Sequence, residues 1–396
     1  MGDHWAHEKG LSSDEFGWSN ALEPGQICHI LGMGRRPVKQ RQITLISRWL
    51  SGKKNTVELM TINATSMAID VGGTFTDVTV LDQETGRMHF AKVLTTPDDP
   101  SQSSIHGASE ILNRIGTSPA SVGEMIHATT VATNAVIERK GAKIGLLTTK
   151  GFRDTLEIGR ESRYDIYDLN LQMPEPLVPR TRRLEVDERI SADGEVIVPL
   201  DKKNAAEAIT ILVERHKIEA LAICLVNGFA YPQHERRLVE IAKEIYPNLI
   251  ISVSNQVAGE IREYERSSTT SVDAYVKPMV HRYVDRLSDE LARLGLEPQV
   301  AIMLSHGGVG PAREVSRSFP VRMIESGPAA GAIAAAHFAR TALETPDAVA
   351  FDMGGTTAKI SVIREGEPTV TNAFEVAHVH RFKRGSGLPV RAPVID

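Results

Sequence analysis

The stretch SMAIDVGGTFTDVTV at residues 66–80 returns, slightly altered, as AVAFDMGGTTAKISV at residues 348–362. Aligned without gaps, the two copies share Ala68/Ala350, Asp70/Asp352, Gly72/Gly354, Gly73/Gly355, Thr74/Thr356 and Val80/Val362. A strand that enters a Gly-Gly-Thr turn and then resumes brings its backbone close to a ligand, because glycine has no side chain and tolerates positive φ. Successive N–H groups in such a turn form an anion-binding concavity, and threonine hydroxyls add donors. Phosphate is the natural ligand, and Asp70 and Asp352, each just before its turn, are placed to hold Mg²⁺ directly or through water. One copy alone reads equally well as a tight hairpin between buried strands. Two copies in matching contexts favour two halves of one site. Neither copy has Walker or GxGxxG spacing.

Before the second copy stands IESGPAAGAIAAAHFAR, residues 324–340, a small-residue helix whose proline suits a first turn. Its alanines and Gly331 allow close packing against a neighbouring helix or a phosphate loop. Elsewhere KIGLLTT, EALAICLV, LIISVS and QVAIML read as strands. Segments 201–216, 232–246 and about 260–294 read as helices. This alternation predicts an α/β protein with mostly parallel sheets. The start differs: AIDVGG, TDVTVLD and RMHFAKVL predict a three-stranded antiparallel meander.

A chain of 396 residues with 41% hydrophobic and 24% charged residues is globular, with more than one domain. A net charge of −5 supplies no basic field, so nucleic acid is not a favoured partner. Cys28 and Cys224 are the only cysteines and show no metal or disulfide spacing, which suits the cytoplasm. The longest apolar run, ALAICLV at 220–226, is far short of the ~20 residues that span a bilayer. Residues 1–66 hold all three tryptophans and an acid-free basic stretch, RRPVKQRQITLISRWLSGKK, and read as a disordered or non-native extension with Met67 as a plausible start. The final GLPVRAPVID reads as a strand with no cap after it, so a chain cut short is expected.

The paired turns and the helix before the second resemble the actin, sugar-kinase and heat-shock-chaperone ATPase superfamily, in which two similar domains each give a phosphate loop. Within it, the chain from about Met67 to Asp396 resembles the hydantoinase A and 5-oxoprolinase family. The blocks that carry the resemblance are DVGGTFTDV, HATTVATNAVIERKGAKIGLLTTKGFRD, EIGRESRYDIYDL, PLVPRTRRLEVDERI, EIREYERSSTTSVDAYVKP and FDMGGTTAK. The segment TTAK with VHRFKRGSGLPVRAPVID looks most like the hydantoin and N-methylhydantoin utilisation A subunits and the acetone carboxylase β relatives. The resemblance implies actin-like (ribonuclease H-like) ATPase domains, the first complete and the second only begun. It divides the chain into an N-terminal domain at 67–255 and the start of a second at 256–396.

The family's chemistry is ATP-dependent attack on a small cyclic amide or a ketone. For lactams and hydantoins, the γ-phosphoryl goes to the carbonyl oxygen and water opens the activated ring, often with the help of a B subunit. A resonance-stabilised amide is a poor electrophile, and phosphoryl transfer needs mainly positioning and charge neutralisation. On this resemblance Gly72, Gly73, Thr74 and Thr76 cradle phosphates, and Gly354, Gly355, Thr356 and Thr357 close from the other side. Asp70 and Asp352 organise Mg²⁺, and Asp77 orients water or substrate unless it is a solvent-facing hairpin residue.

In HATTVATN, His127 is an acid/base candidate or a structural histidine, and Thr129, Thr130 and Asn134 belong to a strand end that feeds a helix. Arg160 and Arg163 are candidates for an anionic intermediate or the substrate's carboxylate or imide edge, with a surface loop of ion pairs as the alternative. Glu260, Arg262, Glu263, Glu265 and Arg266 read as a salt-bridged helical face. His378 and His380 share a strand face, but two ligands do not make a metal site.

The expected function is therefore ATP-dependent hydrolysis of a cyclic amide such as hydantoin, N-methylhydantoin or 5-oxoproline, in an oligomer with a B-like subunit. The alternatives are a ketone carboxylase β subunit, a sugar-kinase-type phosphotransferase, and an inactive fragment with weak or absent ATP binding. A sugar kinase would leave the long hydantoinase-like blocks unexplained.

Overall fold

The computed structural model describes residues 65–96, 98–296, 299–353, 358–380 and 383–395. Nearly all of the expected extension at 1–66 lies outside the described residues, as do Gly354, Gly355, Thr356 and Thr357 of the second turn.

The first copy of the repeat folds as the predicted meander: β1 (Thr65–Val71), β2 (Phe75–Asp82) and β3 (Met88–Leu94) pair antiparallel in that order. The period of two puts Met67, Ile69, Val71, Val78 and Val80 on one face, with Met67 opposite Val80 and Ile69 opposite Val78. That face is buried beneath Ala108, Ile111 and Leu112 of α1 (Pro100–Ile115). Gly107 permits the close approach, since a Cβ there would lie 2.7 Å from a Val78 methyl. Pro100 opens the helix and Gly116, at φ 69°, ends it. Each buried aliphatic here stabilises the fold by roughly 1.5–3 kcal/mol, and Ile69→Ala would cost about 2–5 kcal/mol.

β4 (Val122–Thr129) runs parallel to β1, and β11 (Val300–Met303) parallel to β4. With β12 (Val309–Pro311) at the edge, the sheet order is β12-β11-β4-β1-β2-β3. Residues beyond 300 thus complete the sheet begun at 65, and this sheet crosses the expected 255/256 boundary.

A second sheet, β10-β9-β5-β6, is wholly parallel and is built from β5 (Ile144–Thr149), β6 (Arg183–Val186), β9 (Ala220–Cys224) and β10 (Ile250–Val253). β5 and β9 are buried at every residue, as expected where both faces of a parallel sheet are covered. A small hairpin, β7 (Arg189–Ile190) with β8 (Val196–Val198), follows β6. α2 (Val131–Ile137) follows β4, while α3 (Lys202–Thr210) and α4 (Gln233–Ile245) belong to the second sheet's crossovers. The Asp201 carboxylate accepts from the Lys203 and Asn204 N–H groups and caps α3.

The long helix α5 (Glu263–Arg293) packs on β9, β10 and β5. Its first half was expected to be a charged face but is buried: Glu265 is 3% exposed and Arg266 1%. α6 (Ser326–Thr341) leads into the second copy, β13 (Ala348–Met353) and β14 (Ala358–Arg364), with β15 (Glu367–Pro368) at the edge.

The register repeats that of the first copy, since Lys359 stands opposite Asp352 as Asp77 stands opposite Asp70. The burial does not repeat, because Val349, Phe351 and Met353 are exposed where Met67, Ile69 and Val71 are covered. Two short pairs finish the described chain: β16 (Val370–Thr371) with β19 (Val394–Ile395), and β17 (Phe374–Val376) with β18 (Leu388–Val390), the latter on α5. Among the described residues no helix is long and apolar enough to cross a membrane.

Candidate functional site

The β1–β2 turn is held from within. The Gly72 N–H donates to the Phe75 carbonyl at 2.9 Å, and the Gly72 carbonyl accepts from the Thr95 hydroxyl at 2.9 Å. Gly72 is required by proximity rather than by positive φ: a Cβ would lie 3.1 Å from the Phe75 oxygen. Gly73 and Thr74 form the exposed tip, and among the described residues their N–H groups take no backbone partner.

Thr76 does not join them. Strand alternation turns its side chain to the covered face, where its hydroxyl bonds Thr95 at 3.0 Å and Ser103 at 2.7 Å with no exposed surface. The expectation that Thr76 cradles phosphate is corrected on that geometry.

Asp70 and Asp77 lie opposite one another on the other face, with Lys92 next in the row. Like charges directly opposite in a ladder are unfavourable, so this pair is a departure from what stability alone would select. Lys92 compensates one member, its ammonium lying 2.7 and 2.8 Å from the two Asp77 oxygens. Among the described residues Asp70 has no such partner. The residue keeps exposed surface, yet desolvation by the surrounding protein, then Asp77 and Asp352, push its pKa up to about 6. Asp352 of the second copy therefore acts on Asp70 of the first.

The start of α6 is fixed beside this carboxylate. Gly327 packs against Asp70, since a Cβ there would be 3.3 Å from Oδ1. The Ser326 hydroxyl accepts from the Thr129 N–H at 3.3 Å and donates to the Thr129 carbonyl at 3.1 Å. The Glu325 N–H donates to the Thr133 hydroxyl at 3.2 Å, and Lys359 pairs with the Glu325 carboxylate at 3.1 Å. Thr130 closes the same elbow: its N–H and hydroxyl donate to the Val71 carbonyl, and the Asn134 amide donates to its hydroxyl. Thr129, Thr130 and Asn134 thus align the end of β1 and the start of α6.

His127 is one strand further in, fully buried, with Nε2 2.7 Å from the Tyr283 hydroxyl. Burial holds the imidazole neutral, with a pKa pushed down to about 4, and raises that of Tyr283 well above the usual phenol range. This geometry departs from a proton-transfer role, for the ring touches no open surface.

Arg160 and Arg163, expected together, separate. Arg163 is exposed and bonds the Asp168 carbonyl within its own loop. Arg160 instead lines a cavity of about 420 Å³ beside the α6 start, together with Glu325, Lys359, Glu375, Arg384 and Arg391. Its Nε lies 2.7 Å from Oε1 of the buried Glu265. His378 also lines this cavity, and His380 lies tilted against the Tyr164 ring, so the two histidines diverge.

Glu265, Glu375 and Arg391 were not singled out as site residues. Nothing in the local sequence marks Glu265 as buried, since charged residues and the following SSTTS run are ordinarily exposed. Among the described residues no three His, Cys, Asp or Glu side chains converge as a metal site.

The hydantoinase/oxoprolinase N-terminal region model matches residues 66–246, and the hydantoinase/oxoprolinase model matches residues 266–396. An uncharacterised Methanocaldococcus jannaschii protein is 40% identical over 83% of this chain and 48% of its own length. The caprolactamase alpha subunit of Pseudomonas jessenii is 34% identical over 81% of this chain and 46% of its own, and the ATP-dependent caprolactamase crystal structure superposes with TM-score 0.73, at 32% identity over 84% of this chain and 47% of that one. A nucleotide-free acetone carboxylase structure, from a study of ATP-dependent acetone carboxylation, gives 0.72 at 25% identity over 84% of this chain and 47% of its own. The chain spans about half the length of these relatives.

Proposed function

The chain belongs to the hydantoinase/oxoprolinase family, and from that premise we propose that it forms the nucleotide-binding part of an enzyme that uses ATP to open a small cyclic amide. The observation that carries this reading is the repeated strand-turn-strand register of the two copies, with Gly327 at the start of α6 packed against Asp70 and Asp352 of the second copy adding to the field at Asp70. Two strand-turn-strand units that bring carboxylates together in this way suit an actin-like ATPase arrangement. Gly72, Gly73 and Thr74 would cradle phosphates from one side, and Gly354, Gly355, Thr356 and Thr357 would complete the cradle from the other.

The residues fit a divalent cation, because the charge crowding that raises Asp70 is what a cation would relieve. Asp70 and Asp352 would hold Mg²⁺, which when bound neutralises charge on the phosphates. Asp77, tied to Lys92, would help set the field at Asp70. Thr129, Thr130 and Asn134 act as positioning residues for the β1 end and the α6 start, and His127 braces β4 against Tyr283 of α5.

In the proposed reaction a substrate carbonyl oxygen attacks the γ-phosphorus, forming a P–O bond as the β,γ-anhydride breaks and ADP leaves. Water then adds to the activated carbon, the ring C–N bond breaks as the nitrogen takes a proton, and a second water cleaves the resulting acyl phosphate to release phosphate and the open-chain acid. The caprolactamase relative is named as a subunit, which supports a second subunit of B type as partner in the whole protein.

The likeness to the acetone carboxylase structure supports a second reading, activation of a ketone for carboxylation. A phosphate-release assay on the whole protein with a B-type subunit separates the two. Release stimulated by lactams or hydantoins without bicarbonate supports the first. Release that requires ketone and bicarbonate supports the second, and release stimulated by neither sinks both.

A further inference from the structure

Resting on the phosphate-cradle reading above, we infer that Thr95 is the positioning residue that aims the first turn at its anion. Thr95 stands just after β3, beside the tip of the β1–β2 turn. Its N–H donates to the Thr74 carbonyl at 2.9 Å, and its hydroxyl donates to the Gly72 carbonyl at 2.9 Å. One residue therefore grips the chain on both sides of Gly73, the position that would otherwise keep the widest backbone freedom in the turn.

Counting protons fixes the direction of the hydroxyl bonds behind this grip. A hydroxyl carries one donor, and a carbonyl can only accept. The Thr95 proton is committed to the Gly72 carbonyl, so at the 3.0 Å contact between Thr76 and Thr95 it is Thr76 that donates. The Thr76 proton is then in use, so at 2.7 Å Ser103 of α1 donates to Thr76, sharing its proton with the Pro100 carbonyl at 2.9 Å. The three hydroxyls form a one-way chain from α1 to the Gly72 carbonyl, in which each bond polarises the next. Thr76 and Ser103 are buried, so breaking the chain strands polar groups away from water.

The effect on the turn follows from the planar trans peptide, and no cis peptide occurs among the described residues. The Gly72 carbonyl and the Gly73 N–H belong to one peptide unit and point in opposite directions. Thr95 draws the carbonyl toward the hydroxyl cluster beneath α1, which turns the Gly73 N–H the other way, toward the face that carries Asp70 and Asp77. Among the described residues that N–H has no backbone partner. A donor already held in place loses little freedom when an anion arrives. Buried hydroxyls, rather than the phosphate itself, thus set the turn, and an anion at Gly73 would lie beside the carboxylate proposed for the cation.

The test is a titration of this chain, labelled with ¹⁵N-glycine, with inorganic pyrophosphate and Mg²⁺, read at the Gly73 amide by NMR. The unaltered chain is expected to give a saturable Gly73 shift. Thr95→Val keeps the shape of threonine without its hydroxyl and should weaken the apparent affinity by about fivefold, the effect of losing roughly one neutral hydrogen bond. Thr95→Ser returns the donor and should restore affinity to within about twofold of the unaltered chain. Each variant is first checked for cooperative unfolding, and Thr95→Ala, with the same loss expected, stands in should Thr95→Val not fold.

Gly86 is the internal control, since its N–H is held by the Asp82 carbonyl in the other turn of the same meander. Its resonance should keep its place in every chain, whereas general loosening of the meander would move both glycines. A Thr95→Val chain that binds as the unaltered one does, a Thr95→Ser chain that stays weak, or a Gly86 resonance displaced along with Gly73 would overturn the positioning role and leave the cradle intact. No Gly73 response in the unaltered chain would instead overturn the cradle reading, and this inference with it.

Discussion

The carboxylate of Asp352 raises the pKa of Asp70, a residue that belongs to the other copy of the repeat. Desolvation and Asp77 act in the same direction, Lys92 opposes them, and the result is a group that titrates near 6 rather than 3.8. Each strand-turn-strand unit could be dismissed alone as a hairpin, but their acids share one field.

Stability should respond to that field. A carboxyl whose folded pKa lies above its unfolded value favours the folded state at low pH and loses that contribution as pH rises through the folded value. Asp70→Asn is therefore expected to stabilise the chain at pH 7.5, on the order of 1 kcal/mol once solvent screening is allowed for, and to change little below pH 4. Urea unfolding at both pH values checks this, and a destabilised variant at pH 7.5 would count against the strain.

Magnesium should reverse the cost of the crowding. Millimolar Mg²⁺ is expected to raise the melting temperature at pH 7.5 and to do so less at pH 5, where Asp70 is mostly protonated. In Asp70→Asn the Mg²⁺ response should fall by about tenfold or more in apparent affinity. A thermal-shift titration reads both.

His127 and Tyr283 should behave as a buried structural pair. Tyr283→Phe leaves the imidazole Nε2 without its partner and is expected to cost roughly 1–3 kcal/mol in chemical denaturation. With the histidine held neutral by burial, the whole protein's rate profile should show no limb near pH 6.5 that His127→Gln removes. A lost limb would restore the histidine to proton transfer.

Glu265 should matter more than its place in a charged helix suggests. It is buried under two guanidinium groups, so Glu265→Gln leaves positive charge uncompensated and is expected to cost about 3–5 kcal/mol by denaturant unfolding.

Much of this was legible in the residues. The period of two in β1, β2 and β3, the Pro and Gly that bound α1, and the near-continuous apolar runs of β5 and β9 act locally, so pattern alone predicts them. Thr76 was misassigned although alternation holds the answer: it shares a face with Val78 and Val80, opposite to that of Asp77. His127 stayed between an acid/base and a structural role because a motif says nothing about depth; the ring lies inside the sheet against Tyr283 from a distant helix. The cavity was hidden for a further reason. Arg160, Glu265, Glu375 and Arg391 come from four separated segments, and only the packing of α5 against β18 brings them together.

The most direct test of the account is a ¹³C NMR titration of the Asp70 carboxyl in the unaltered chain and in Asp352→Asn. A midpoint about 6 is expected, moving toward 3.8 when Asp352 loses its charge. A midpoint that is ordinary from the outset, or one that the substitution leaves in place, would contradict the facing of the two repeats on which the proposed function rests.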